Sequence, residues 1–375
     1  MKILGIETSC DETSAAIVED GVSVLSNVIA SQIPLHRATG GVVPEVAARE
    51  HVLKILPVIQ ESLLKAGKIS GRKKLTLQDI DAVAVTKGPG LMSSLVIGTT
   101  AASTLAAVMQ KPLIPVNHIA GHIYANWLNP VGTKPHAKNW RSADHVEFPC
   151  VVLTASGGHN ELVLMKGHDR FEMLGETLDD AAGEAFDKVA RLLGMGYPGG
   201  PEIARAAEYG NAQKYRFPKS YLGEENFDFS FSGLKTAMLN FIREAHHSGG
   251  KLQKQFIADC AASFQEAVCG VLSDKLLRAA QKYRAKTVII SGGVSANRRL
   301  RSMIQEKISE GFFHNHRGHR IQLQSAPVFD FPAHLTFCTD NAAMIAGAAY
   351  FHVQRLGLAK VSVKSVLADP SLSLC

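Results

Sequence analysis

Short runs of apolar, β-branched residues separated by polar turns mark the start of the chain as strands over residues 2–7, 14–18 and 22–30. The pattern then lengthens into a helix over 43–66, a buried strand over 81–86, an apolar helix over 91–110 and a short strand over 112–116. Alternating β and α elements of this kind predict a covered, largely parallel sheet. From Asn129 to Pro149 the composition turns to Pro, Gly, Lys, His, Asn and Ser, which reads as a linker or surface excursion.

The pattern beyond it repeats the beginning. A strand over 150–154, a small-residue turn, strands over 161–166 and 171–178 and a helix over 181–193 are followed by a strand over 287–291. A glycine turn then leads into a helix from Arg298, and a last helix covers 342–351. Each half opens with a strand, a tight turn and a second strand, and later feeds a strand through a Gly-rich turn into a helix. This predicts an internal duplication, with one lobe over 1–128, a linker or insertion over 129–148 and a second lobe over 149–375 whose last helix returns to the first.

With 375 residues, 46% of them apolar, the chain is long enough for such lobes and too apolar for disorder. Forty Lys and Arg against 34 Asp and Glu leave a net charge of +6, which permits an anionic partner without demanding one. Six scattered cysteines with no Cys-x-x-Cys argue against a disulfide framework or zinc ribbon and fit a reducing compartment. Glu7 interrupts the N-terminal apolar run before a signal core develops. The uncharged run 88–110 carries several Ser and Thr and begins with Gly-Pro-Gly, so it reads as a buried helix and no membrane association is expected.

Four strand-to-turn sites are rich in glycine: Gly88-Pro89-Gly90, Ser156-Gly157-Gly158, Gly199-Gly200 and Gly292-Gly293. Glycine lets backbone N–H groups approach a phosphate, although tight turns alone also select it. Neither a Walker A loop nor a Gly-x-Gly-x-x-Gly is present. His118 and His122 stand at i and i+4, on one helix face and close enough to share a metal, though core or surface histidines share this spacing. Asp340 is the candidate anionic third ligand, with a plain helix N-cap ahead of residues 342–351 as its alternative. Asp187 reads either as a ribose ligand or as a surface charge. The stretch Asp228 to Lys235 alternates like an edge strand, with Lys235 a candidate for phosphate. Basic clusters at 68–74, 134–141, 298–301 and 317–320 suit RNA only if they share a surface, and His314, His316 and His319 read as an exposed loop.

Taken in order, these residues resemble a known family. Gly5-Ile-Glu-Thr-Ser-Cys-Asp-Glu-Thr13, Gly40-Gly-Val-Val-Pro-Glu45, Lys87-Gly-Pro-Gly90, His118-x-x-x-His122 and Ser156-Gly-Gly-His159 are five of its motifs. Asp179-Asp-Ala-Ala-Gly-Glu-Ala-Phe-Asp-Lys188, Tyr197-Pro-Gly-Gly200, Asp228-Phe-Ser-Phe-Ser-Gly-Leu-Lys235, Ser291-Gly-Gly-Val-Ser-Ala-Asn297 and Cys338-Thr-Asp-Asn341 complete the set. Together they are similar to the tRNA threonylcarbamoyltransferase family in its bacterial form, across nearly the whole chain.

The resemblance implies an α/β chain with the duplicated two-lobe actin-like/sugar-kinase (ASKHA) fold around a central cleft. It implies an acyltransferase that moves threonylcarbamoyl from threonylcarbamoyl-AMP to the exocyclic amine of the adenosine beside the anticodon in tRNAs reading ANN codons, releasing AMP (t6A formation). His118, His122 and Asp340 correspond to ligands of one divalent metal, with Fe2+ expected ahead of Zn2+. Thr154, Ala155, Ser156, Gly157, Gly158, Asp187, Gly200 and Asn297 correspond to positions that hold the adenylate. No catalytic acid or base is assigned, beyond a weaker expectation that Asp11 and Glu12 take the amine proton or order water. The implied partners are tRNA, a paralogous actin-fold protein and a P-loop ATPase, in a homo- or heterodimer in the cytoplasm. An ATPase or phosphotransferase of the same fold and a non-catalytic tRNA- or nucleotide-binding subunit are the alternatives. A metalloendopeptidase fits poorly, because the His-x-x-x-His helix lacks its Glu. This chain departs from the family at Ala120, at Asn117 and in longer stretches over 132–145 and 310–324.

Overall fold

In the computed structural model the described residues are 1–135, 137–223, 225–246 and 252–375, so His136, inside the expected linker, lies outside them. The chain divides into two compact units. The first takes Met1–Val146, Gly167–Arg170 and Pro332–Cys375; the second takes Glu147–Lys166 and Phe171–Phe331. The stretch from Asn129 to Val146 falls within the first unit, as the surface excursion of the two sequence readings would have it. It is tied down there by Asn129, which bonds Val22 and both the N–H and the carbonyl of Arg141. The chain returns to this unit at Pro332, well before its last helix.

The first unit is built on strands β1 (Lys2–Glu7), β2 (Glu12–Glu19), β3 (Ser23–Ser31), β4 (Ala82–Gly88) and β5 (Leu113–Asn117), in the order β3-β2-β1-β4-β5. β1, β2 and β3 form an antiparallel meander, while β4 and β5 run parallel to β1. The helices are α1 (Ile33–His36), α2 (Pro44–Ile69), α3 (Met92–Met109) and α4 (His118–Tyr124). Leu4, Ile6, Ile17, Val83 and Val85 on the sheet bury against Ile55, Val58 and Ile59 of α2 and Ala102 of α3.

The second unit repeats the plan. Strands β6 (Cys150–Ala155), β7 (Asn160–Met165), β8 (Phe171–Glu176), β9 (Thr287–Ser291) and β12 (Val328–Asp330) are ordered β12-β9-β6-β7-β8. Again three strands form an antiparallel meander, and β9 and β12 run parallel to the first of them. The sheet packs with α5 (Ala182–Leu192), α6 (Gly199–Ala207), α7 (Ser232–His246), α8 (Lys254–Lys282) and α9 (Arg298–Glu310), and a small hairpin of β10 (Phe312–His314) and β11 (Arg320–Gln322) follows α9. The chain re-enters the first unit with α10 (Ala342–Leu356) and α11 (Leu358–Val361).

The two sheets therefore share one strand order and one set of directions, which is the duplication expected from the sequence. α3 and α8 are long and apolar enough to cross a membrane by length and composition, but 83% of the apolar window of α8 is buried and α3 covers β4. The stretch 228–235, expected as an edge strand, pairs only at Phe229, with Thr177. Asp179 accepts from the N–H groups of Phe231 and Ser232 and so starts α7 at Ser232. None of the six cysteines is joined in a disulfide.

Candidate functional site

Parallel strands deliver their C-terminal ends to one edge of a sheet, and in the first unit these ends carry the site. β1 ends at Glu7, β4 runs into Gly88-Pro89-Gly90, and β5 ends at Asn117, directly before His118. The Asn117 side chain accepts from the N–H groups of Ile119 and Ala120 and so caps α4, which places His118 and His122 on one face. α4 is held against α10 by ring packing: Tyr124 stacks on Phe351 with centroids 4.6 Å apart, and His168 stacks on the same ring at 4.2 Å. Close approach needs two glycines. A Cβ on Gly121 would come within 2.8 Å of Ile345, and one on Gly5 within 2.2 Å of the Ala342 carbonyl.

This packing brings Asp340 to the histidines. Its Oδ1 lies 3.5 Å from Nε2 of His118 and 3.2 Å from Nε2 of His122, and the three ligand atoms fall within 4.8 Å of one another. Asp340 is not the helix cap. Asn341 caps α10 by accepting from the N–H of Met344, which leaves the neighbouring carboxylate to face the imidazoles. Both nitrogens of His122 are buried without a well-formed hydrogen bond, and burial lowers its pKa. A neutral, fully buried imidazole with a lone pair beside a carboxylate is a donor set suited to a divalent cation.

Sequence reading missed the layer behind His118. Its Nδ1 lies 3.1 Å from Oε2 of Glu7 and 3.2 Å from the hydroxyl of Ser9. Glu7 is fully buried, accepts from the Thr86 hydroxyl through the same oxygen and from the Ser9 N–H through the other. Burial alone would raise its pKa, but the neighbouring His118 and the bonds from His118 and Thr86 outweigh it, so the carboxyl stays below its ordinary value. An ionised Glu7 fixes the proton on Nδ1 of His118 and turns Nε2 toward Asp340. The signals for it were its position at the end of a buried strand and its place in the motif Gly5–Thr13.

The acidic loop between β1 and β2 is also buried. Burial, with Asp11 and Asp340 adding, pushes the Glu12 carboxyl up to about 10. Without a cation nearby Glu12 keeps its proton at neutral pH, so it is a poor base. His51 of α2 clamps this loop at both ends, with Nε2 2.9 Å from the Cys10 carbonyl and Nδ1 2.8 Å from the Thr13 hydroxyl.

In the second unit β6 and β9 end side by side, at Ala155 and Ser291. Thr154 is buried and bonded to the Ser291 hydroxyl, and Gly292, with φ +78°, packs so tightly on Ala155 that a Cβ would come 2.4 Å from its carbonyl. The turn Ser156-Gly157-Gly158 sits on the start of α5, where Gly183 donates to the Ser156 carbonyl. Asp187 on α5 accepts from the N–H of Gly199 at 2.6 Å and so caps α6, just before Gly200. Burial raises its pKa despite that bond. Asn297 caps α9 through the N–H of Leu300 and donates to Gln265. Added Cβ atoms on Gly157, Gly158, Gly200 and Gly293 would meet only open space. These four glycines therefore border free volume, whereas Gly292 and Gly183 serve packing.

Lys235 is 2.6 Å from Asp180, which Lys188 also binds. His314, His316 and His319 form no metal-ligand group among the described residues; the His314 N–H is bonded to Asp274.

A duplicated α/β chain, with glycine turns at the ends of paired parallel strands in both halves, has the actin-like/sugar-kinase architecture. HypF from T. kodakarensis is similar over 94% of this chain and 48% of its own length, with a TM-score of 0.55 at 14% identity. A phosphate- and nucleotide-bound full-length HypF matches 95% of this chain and 46% of its own, at a TM-score of 0.53 and 15% identity. These likenesses concern the fold alone. The sequence itself matches the tRNA N6-adenosine threonylcarbamoyltransferase family over residues 23–347. Among proteins of that name, one from Thermomicrobium roseum is 49% identical over 95% of this chain and 93% of its own length, and one from Bacillus subtilis is 48% identical over 93% and 89%. The chain belongs to the tRNA N6-adenosine threonylcarbamoyltransferase family.

Proposed function

We propose that this protein transfers the threonylcarbamoyl group from threonylcarbamoyl-AMP to the N6 amine of the adenosine beside the anticodon in tRNAs reading ANN codons. The observation that carries the reading is the convergence of His118, His122 and Asp340 within a chain of this family. The amine nitrogen attacks the carbamoyl carbonyl carbon, the carbon–oxygen bond to phosphate breaks, AMP leaves with the bonding pair, and the amine loses one proton. A urea-linked threonine remains on the base.

His118, His122 and Asp340 would hold one divalent ion, Fe2+ ahead of Zn2+, whose contribution when bound is to polarise the threonylcarbamoyl carbonyl. Glu7 keeps the proton on Nδ1 of His118, so that Nε2 stays a lone-pair donor. Gly157, Gly158, Gly200 and Gly293 leave room for backbone N–H groups to approach the adenylate phosphate. Asp187 would meet a ribose hydroxyl, and Asn297 and the residues 154–156 would complete the adenylate cradle. Asp11, the other carboxyl of the acidic loop, is the remaining candidate to take the amine proton or to order water. The target base must leave its stack to react.

A tRNA substrate supports a cytoplasmic location, and a paralogous actin-fold protein and a P-loop ATPase are the expected partners. The test is to incubate purified protein with threonylcarbamoyl-AMP, Fe2+ and unmodified tRNA, with and without those partners, and to digest the tRNA to nucleosides. Threonylcarbamoylated adenosine from the anticodon loop supports the reading. ATP turnover in place of transfer, surviving His118→Ala, would favour the phosphotransferase alternative.

A further inference from the structure

The segment Asp369–Ser373 lies across the two supports of His118, and nothing in the reading of the site gives it a role. It runs past the end of β4, where the Asp369 N–H donates to the Lys87 carbonyl at 2.9 Å and the Gly90 N–H donates to the Pro370 carbonyl at 3.3 Å. The approach leaves no room for a side chain, because a Cβ on Gly88 would fall 1.7 Å from the Asp369 carbonyl oxygen. On its other side the same turn presses on Ser9. The Leu91 N–H donates to the Ser9 carbonyl at 2.8 Å, and a Cβ on Gly90 would come within 2.6 Å of that oxygen. The Ser9 hydroxyl is the one 3.2 Å from Nδ1 of His118.

The segment then reaches the helix that carries the histidines. Asn117 Nδ2 donates to the carbonyls of Leu372 at 3.3 Å and Ser373 at 3.0 Å. The oxygen of the same amide accepts from Ile119 and Ala120. One side chain therefore fixes the first turn of α4 with its oxygen and anchors the segment with its nitrogen, so neither can shift without disturbing the other. His118 is the next residue.

We propose that Asp369–Ser373 is a strap that positions His118, with Asn117 as the residue that couples strap to helix. It acts by two routes, through Asn117 on α4 and through the Gly88–Gly90 turn on Ser9. The inference rests on the metal-site reading for its consequence, since what the strap sets is the direction of the His118 lone pair. A positioning layer of this kind typically changes metal affinity about 10- to 100-fold when it is removed.

The test separates capping from coupling. Serine caps helices about as well as asparagine but is too short to reach the strap, so Asn117→Ser cuts only the second role. This variant, a chain lacking residues 369–375 and the two changes combined are titrated with Co2+ against a chromophoric chelator. Hydrogen exchange of residues 118–124 is followed in parallel. Each single change is expected to weaken Co2+ binding about tenfold and to speed exchange of 118–124. The combination is expected to do no more than the stronger single change, because Asn117→Ser acts only through the strap. Wild-type affinity and exchange in Asn117→Ser, or losses that simply add, would overturn the strap. If the wild-type protein itself takes up no Co2+, the metal reading fails instead, and exchange of 118–124 alone decides the strap.

Discussion

Glu7 and His118 are 111 residues apart in the chain, yet a carboxylate oxygen of the first lies 3.1 Å from Nδ1 of the second, with Glu7 fully buried. Two parallel strands ending at one sheet edge make the meeting possible, and Thr86, on the strand between them, binds the same oxygen. Glu7→Gln keeps the shape but removes the charge that fixes the proton on Nδ1 of His118. Metal affinity, measured by competition with a chelator, is expected to fall about 10- to 100-fold while the fold is kept.

Asp340 and Asn341 are neighbours with separate duties. Asn341→Ala should cost about 1 kcal/mol of stability by uncapping α10, seen as a lower denaturation midpoint with metal uptake kept. Asp340→Asn should leave the stability of the metal-free protein unchanged and abolish stoichiometric metal uptake. A reversal of these two effects would show that Asp340 serves the helix and not the cation.

That division was not legible in the residues alone, where Asp340 read first as a helix cap and became a ligand only through the family resemblance. The strands that open each half, the glycine turns and the histidine pair were legible, because each is a local pattern with a periodicity or a spacing; the largely parallel sheet expected was not found, since two of the four strand pairings in each unit are antiparallel, a choice set by tertiary pairing. Glu7 as the orienting carboxylate and His51 as the clamp on the acidic loop were not, since both arise from tertiary contacts between distant elements. The edge strand expected over 228–235 failed for the same reason: Asp179, some fifty residues away, starts a helix there.

Glycines of the second unit should sort by what a Cβ would meet. Gly157→Ala and Gly200→Ala enter open space and are expected to leave the denaturation midpoint unchanged while weakening binding of an adenylate analogue in a calorimetric titration. Gly292→Ala must strain a residue at φ +78° and crowd the Ala155 carbonyl, which is expected to cost roughly 1–3 kcal/mol.

Lys275 of α8 is buried under Phe229, with its ammonium 5.2 Å from the ring centroid and donating to the Asp228 carbonyl. Burial, helped by the charge of Arg278, brings its pKa down from 10.5 to about 8. Between these values the folded chain has released the proton while the unfolded chain still holds it, so stability rises with pH from this group. Lys275→Met should remove that contribution. The stability of wild type relative to the variant is expected to climb between pH 8 and 10.5 in denaturant titrations; a flat difference would place the ammonium in water.

The most direct test of the metal-dependent transfer is single-turnover reaction of threonylcarbamoyl-AMP with unmodified tRNA as a function of bound metal, in wild type and His122→Ala. The wild-type rate should rise in proportion to occupancy and level off at one ion per chain, with one AMP released for each adenosine modified. His122→Ala should give almost no product at any metal concentration that leaves the fold intact. Equal transfer by His122→Ala, or transfer by metal-free wild type, would contradict it.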